Sequence, residues 1–165
     1  MTRSGMAGLI LAGLLATACG GNSTGTSGGY YLRFQTPGGQ VSFTSQASLT
    51  AAFSKSGNQR LMIATGFDAS RNFSITVFDA VPIVEQTYSG YDINVNLGAV
   101  VGVQLTYEDA SGTVWSIGSG TSNQTVTLTS ITATTVMGQF SGTMKASGHA
   151  DLVVTNGQFF VVRAN

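Results

Sequence analysis

From Tyr30 onward apolar side chains recur at every second position, the period of a strand with one buried face. Leu32 and Phe34 alternate with Arg33 and Gln35 before Pro37-Gly38-Gly39 turns the chain, and Val41 and Phe43 align on the return. The stretch from Ala47 to Phe53 fits either a helical turn or an edge strand. Arg60 to Phe67 and Asn72 to Phe78 predict a hairpin around Asp68-Ala69-Ser70-Arg71, with Leu61 and Ile63 facing Phe73, Ile75 and Val77. Pro82 removes a ladder donor, which makes Val81 to Glu85 an edge or a loop. Ala99 to Glu108 with Thr113 to Gly118 predicts a second hairpin around Asp109-Ala110-Ser111-Gly112, whose core candidates are Val101, Val103, Leu105, Tyr107, Val114 and Trp115. Thr125 to Thr132 with Val136 to Met144 predicts a third. Ala150 to Thr155 and Gln158 to Arg163 flank Asn156-Gly157, the strongest hairpin signal in the chain because both residues accept positive φ. About eight to ten short strands without a long helical period predict an all-β fold, a single antiparallel β-sandwich or barrel. It occupies residues 30–165 as one domain.

The first 29 residues follow a different pattern. Arg3 precedes an apolar run from Met6 to Ala16, well short of the roughly 20 residues a membrane-spanning helix needs, so it reads as the core of a signal peptide. The residues that follow, Leu15-Ala16-Thr17-Ala18-Cys19, resemble the lipobox of bacterial lipoproteins, although Ala16 stands where Leu, Val or Ile is more usual. The resemblance implies removal of residues 1–18 and lipidation of Cys19. Two or three acyl chains exceed the two-signal threshold for stable anchoring. Residues 20–29, GGNSTGTSGG, form an uncharged linker with a root-mean-square reach of roughly 17 Å. Acidic residues after the cysteine redirect lipoproteins in families that use such a code; none occurs here, so the expected location is the outer membrane, facing the periplasm. Cys19 is the only cysteine, which leaves no disulfide partner.

Charge narrows the class of partner. Only 8% of residues are charged, against about 25% in ordinary globular domains, and 7 basic residues balance 7 acidic ones. Nucleic-acid binding needs a clustered basic surface, and the chain has none. Ser, Thr, Asn and Gln at outward strand positions supply the solubility that charges usually provide.

Towards the C-terminus the segments Gly138-Gln139-Phe140-Ser141-Gly142-Thr143-Met144 and Leu152-Val153-Val154-Thr155-Asn156-Gly157-Gln158-Phe159 carry a more specific pattern. They resemble the closing strands of a family of small uncharacterised all-β bacterial lipoproteins, common in Bacteroidota, whose signature is a G-x-F-S-G-T strand followed by a T-N-G-x-F hairpin. The lipobox, the paired early strands and the strand containing Tyr107 match in outline. The resemblance implies a lipid-anchored all-β domain and brings no established activity with it.

Candidate chemistry is sparse. His149 is the only histidine, so a zinc site with three or four ligands is not expected, and no cofactor or metal is assigned. Gly25-Thr26-Ser27-Gly28-Gly29 matches a nucleophile-elbow spacing but lies in the linker, without the strand and helix that elbow requires. The seven acidic residues include the adjacent Glu108-Asp109, whose side chains diverge on an extended strand end. Three Asn-x-Ser/Thr sequons, beginning at Asn22, Asn72 and Asn123, carry no expected role in a bacterial lipoprotein. Aromatic residues offer the remaining route: Tyr88, Tyr91 and Trp115 are candidates for a ligand-stacking platform, weighed against ordinary packing. The expectation is a non-enzymatic structural or protein-interaction module, attached through Cys19 and contacting an envelope protein or glycan. The alternative is a carbohydrate- or peptide-binding accessory lipoprotein.

Overall fold

The computed structural model describes residues 29–94, 98–117 and 123–164. The predicted signal peptide and nearly all of the linker, with Cys19, lie outside the described residues. The first half of the chain forms β1 (Tyr31–Thr36), β2 (Gly39–Phe43), β3 (Thr50–Ser56), β4 (Gln59–Phe67) and β5 (Asn72–Asp79). Two short strands follow, β6 (Thr87–Ser89) and β7 (Tyr91–Asn94), then β8 (Ala99–Glu108) and β9 (Val114–Trp115). The last three are β10 (Thr125–Ile131), β11 (Thr135–Met144) and β12 (Leu152–Ala164).

All of these strands belong to one hydrogen-bonded sheet, and every pairing but one is antiparallel. The exception joins β12 to β3 through Val162, Arg163 and Ala164. Along its earlier half β12 instead pairs with β1, so the sheet divides there into a β1–β2 branch and a β3 branch. The order runs β6-β10-β11-β12-β3-β4-β5-β8-β7, and the two end strands are consecutive in sequence. Gly90 joins them: its N–H donates to Gln124 O at 3.2 Å and its carbonyl accepts from Val103 N–H at 2.7 Å. The wholly buried Gln124 side chain extends the same seam, accepting from Leu105 N–H at 2.8 Å and donating to Thr143 O at 3.2 Å.

One core fills the interior. Phe34 lies at its centre, with ring centroids 4.5 Å from Phe73, 5.5 Å from Tyr107 and 5.9 Å from Phe140. The Asp68 and Asp109 turns stand where the sequence places them, and Leu32, Phe34, Val41 and Phe43 are buried. The stretch from Ala47 to Phe53 resolves into a 3-10 turn at Gln46–Ser48 followed by β3, paired on both sides rather than at an edge.

Three expectations are corrected. In β4 the inward residues are Met62, Ala64 and Gly66, while Ile63 is 36% exposed. At Gly66 the neighbours leave little room, a Cβ there coming within 3.1 Å of Leu49 and 3.3 Å of Phe43. Val114, expected in the core, is half exposed, and Val101 is only partly buried. Asn156-Gly157 makes no hairpin; it lies inside β12. Val154 and Phe159 both face inward although they stand five positions apart, an odd offset that is impossible for a regular strand of period two. Asn156, at φ 52°, supplies the extra residue as a bulge, putting to another use the left-handed tolerance that suggested a turn.

Candidate functional site

The aromatic candidates do not converge. Tyr88 on β6 is buried, and its hydroxyl accepts from Val84 N–H at 2.8 Å and donates to Val84 O at 3.1 Å. Its ring and its polar tip are therefore both occupied within the fold. Tyr91 on β7 is 42% exposed, edge-on to Phe78 at 5.6 Å. Trp115 is partly buried between Tyr107, stacked at 6.0 Å, and His149 at 5.7 Å. Tyr91 pairs with Gly102 and Trp115 with Tyr107, which sets them about 17 Å apart along β8.

Several of the few charged residues gather near Trp115, where they organise turns. Asp68 Oδ1 accepts from the N–H groups of Ser70 and Arg71, and its Oδ2 accepts from Arg71 Nε at 2.9 Å. The Arg71 guanidinium, followed by the Ser70 N–H, holds the Asp68 carboxyl down at about 2. Asp109 is likewise lowered, first by the Ser111 hydroxyl and then by the Thr113 and Ser111 N–H groups. Burial raises the Tyr107 hydroxyl. Both carboxylates are fixed in the ionised form by their own loops. Among the described residues no three His, Cys, Asp or Glu side chains are grouped to hold a metal ion.

The outer face of β6, β10, β11, β12, β1 and β2 is organised differently. Residues directly opposite one another on neighbouring strands share a face, so the registers align side chains into rows across the sheet. One row reads Thr87, Thr127, Gln139, Gln158, Arg33, Ser42. The next, about 7 Å away, reads Ser89, Thr125, Ser141, the bulge pair Thr155-Asn156, Gln35, Gln40. On the other side of the first row runs an apolar one: Met137, Phe160 and Tyr31, with the Tyr30 ring 5.0 Å from Phe160. Three adjoining depressions follow these rows. Thr125, Gln139, Ser141 and Asn156 line one of about 360 Å³; Asn156, Gln158, Gln35 and Arg33 line one of about 210 Å³; Arg33, Gln40, Tyr30 and Tyr31 line one of about 300 Å³.

The centre of this face is built from a repeated tripeptide. Gly138-Gln139-Phe140 and Gly157-Gln158-Phe159 pair antiparallel with each other, glutamine opposite glutamine and each glycine opposite the other copy's phenylalanine. A Cβ at Gly138 would stand 2.6 Å from the Phe159 ring, and one at Gly157 2.6 Å from the Phe140 ring. The glycines thus admit the two rings to the core beneath while the glutamines project outward. Gln158 Oε1 accepts from Arg33 Nη2 at 2.8 Å and Nε at 3.3 Å, and the guanidinium lies 4.8 Å over the Tyr31 ring. Among the described residues the side-chain amides of Gln35, Gln40, Gln139 and Asn156 make no hydrogen bond. The sequence reading passed over these amides, although the Gly-Gln-Phe repeat is visible in it. Comparison with protein-family models, with curated proteins and with solved structures finds no match.

Proposed function

We propose that the chain is a lipid-anchored domain of the bacterial cell envelope, held at the outer membrane through Cys19 and facing the periplasm, and that it works by non-covalent contact without catalysing a reaction. It stands, in this reading, with the small all-β lipoproteins that its closing strands resemble. The observation that carries it is the nearly charge-free outer face, rows of hydroxyls and amides on strands that begin directly after an uncharged linker. The strand segment shared by β8 and β10 supports reading the domain as a closed barrel with a filled interior, so that contact with other molecules falls to its outside. A second reading, binding of carbohydrate or peptide, draws support from the unpaired amides on that face. Labelled palmitate fed to cells expressing the chain tests the anchor. Incorporation that vanishes in Cys19→Ala supports it; incorporation that survives the substitution, or none in the native chain, overturns it.

A further inference from the structure

We infer that the face formed by β10, β11, β12, β1 and β2 binds a neutral oligosaccharide laid across the strands, with Gln139, Gln158 and Asn156 holding its hydroxyls and Phe160 and Tyr31 bordering one side. This deepens the reading of the domain as a binding module and rests on it.

The first support is that the ladders do not need Asn156. Towards β11, Thr155 and Asn156 together face Ser141; towards β1, Asn156 and Gly157 together face Phe34. Asn156 is therefore the surplus residue on both sides of the same strand. Without it, Val154, Thr155, Gly157 and Gln158 would follow one another in regular register against both neighbours. The bulge holds a non-glycine residue at φ 52° and sets its side chain between two of the surface depressions. Bulges that re-aim side chains in this way recur beside binding sites.

The second support is chemical. A carboxamide offers a donor and an acceptor together, which matches the hydroxyls of a sugar ring. Arg33 occupies the Gln158 carbonyl oxygen and so leaves its NH₂ group as the outward donor. Phe160 and Tyr31 add ring surface for the apolar C–H faces that sugars also carry. From β6 to β2 the rows cross five inter-strand steps, about 24 Å, long enough for an extended oligosaccharide.

Other ligand classes fit less well. A peptide added as a strand needs a free edge, which on this face only β2 offers, and there it would lie away from Gln139, Gln158 and Asn156, whose strands β11 and β12 are paired on both sides. An anionic ligand needs cations, and Arg33 is the one cation in these rows, already engaged with Gln158 and Tyr31.

The test titrates the full chain with cellohexaose, maltohexaose, xylohexaose and chitohexaose by calorimetry, with the thermal midpoint of each variant as the folding control. At least one hexasaccharide is expected to bind, about tenfold more weakly in Gln139→Ala, Gln158→Ala and Asn156→Gly, and unchanged in Tyr91→Ala. Asn156→Gly keeps the backbone conformation accessible, so its loss of binding reports the side chain. Binding that all three groove variants leave within about twofold overturns the site while leaving the binding-module reading intact. Saturable binding of a random peptide mixture in place of the sugars, abolished by Gln139→Ala, overturns the ligand class but keeps the module. No binding of either ligand class overturns the sugar site and leaves the module reading without its support.

Discussion

Deleting Asn156 separates the fold from the site. In most paired strands a one-residue deletion turns every following side chain to the opposite face and would empty the core. Here the extra residue is surplus to both ladders at the same place, so β12 without it keeps Val154, Gly157, Phe159 and Val161 inward. The Asn156 side chain forms no hydrogen bond among the described residues and is exposed, so little contact energy is removed. Relief of a left-handed non-glycine conformation contributes about 1 kcal/mol, and one residue fewer to order contributes about 1–2 kcal/mol. Against these stands the loss of whatever twist the bulge lends β12. The expected net change in stability lies between zero and about 2 kcal/mol in favour of the deletion, a rise in Tm of a few degrees. Chemical denaturation followed by Trp115 fluorescence measures it, with deletion of Thr76 as the contrast. β5 is regular against both β4 and β8, so that deletion drives Val77 outward and should abolish cooperative unfolding. A deletion of Asn156 that costs more than about 3 kcal/mol would show that the bulge is structural and would refute the argument from surplus.

Three further outcomes follow from the packing and electrostatics. Phe34→Ala removes the ring that touches Phe73, Tyr107 and Phe140 and should cost about 3–5 kcal/mol in denaturant unfolding. Gln124→Leu keeps the volume but leaves the Leu105 N–H and the Thr143 carbonyl without this partner, costing about 1–3 kcal/mol and accelerating exchange of the Leu105 amide. Asp68 has its carboxyl lowered to about 2, below the unfolded value near 3.9; its contribution is complete above about pH 4 and is lost as the pH falls towards 2. Asp68→Asn should flatten the Tm profile over that window and leave its shape above pH 5 unchanged.

What the sequence made legible was the local order. Period-two alternation located most of the strands but left β3 ambiguous and missed the short β6 and β7, and the Asp68 and Asp109 turns are marked by carboxylates that accept backbone N–H groups two to four residues on. Features set by distant partners were hidden. Leu61 and Ile63 are the more apolar face of β4, yet Met62, Ala64 and Gly66 point inward, and at Gly66 the side chains of Leu49 and Phe43, brought in from distant segments, leave little room for a Cβ. The parallel contact of β12 with β3 joins segments over a hundred positions apart and has no local signature. At Asn156-Gly157 the propensity was read correctly and its use was not: positive φ suits a hairpin and a bulge alike, and only the inward demand of Val154 and Phe159 distinguishes them. Exposure separated the aromatic candidates in the same way, since Tyr88 and Tyr91 stand on either side of Gly90 yet one is buried and the other open.

The scarcity of charge leaves a question that the hydrogen bonds answer: which part of a hydroxyl- and amide-covered surface is coat and which is site. Hydroxyl pairs across the strands are satisfied within the protein, as in Thr87 with Thr127 at 2.9 Å, Thr125 with Ser141 at 3.0 Å and Thr50 with Thr65 at 3.3 Å. Amides in structural roles are occupied as well: Gln59 bonds the backbone of Arg60, Asp79 and Val100, and Gln104 donates to Ser116. Gln139, Asn156, Gln35 and Gln40 depart from this, although neighbours stand beside them on adjacent strands and the rows bring them together. Gln40, Gln139 and Asn156 are exposed and Gln35 partly so, which leaves their donors and acceptors open to a ligand whose hydroxyls match that spacing. The same low charge that makes the domain neutral keeps this face free of competing ion pairs. The amide end of the rows, rather than the hydroxyl end near β6, is therefore where substitution should change binding most.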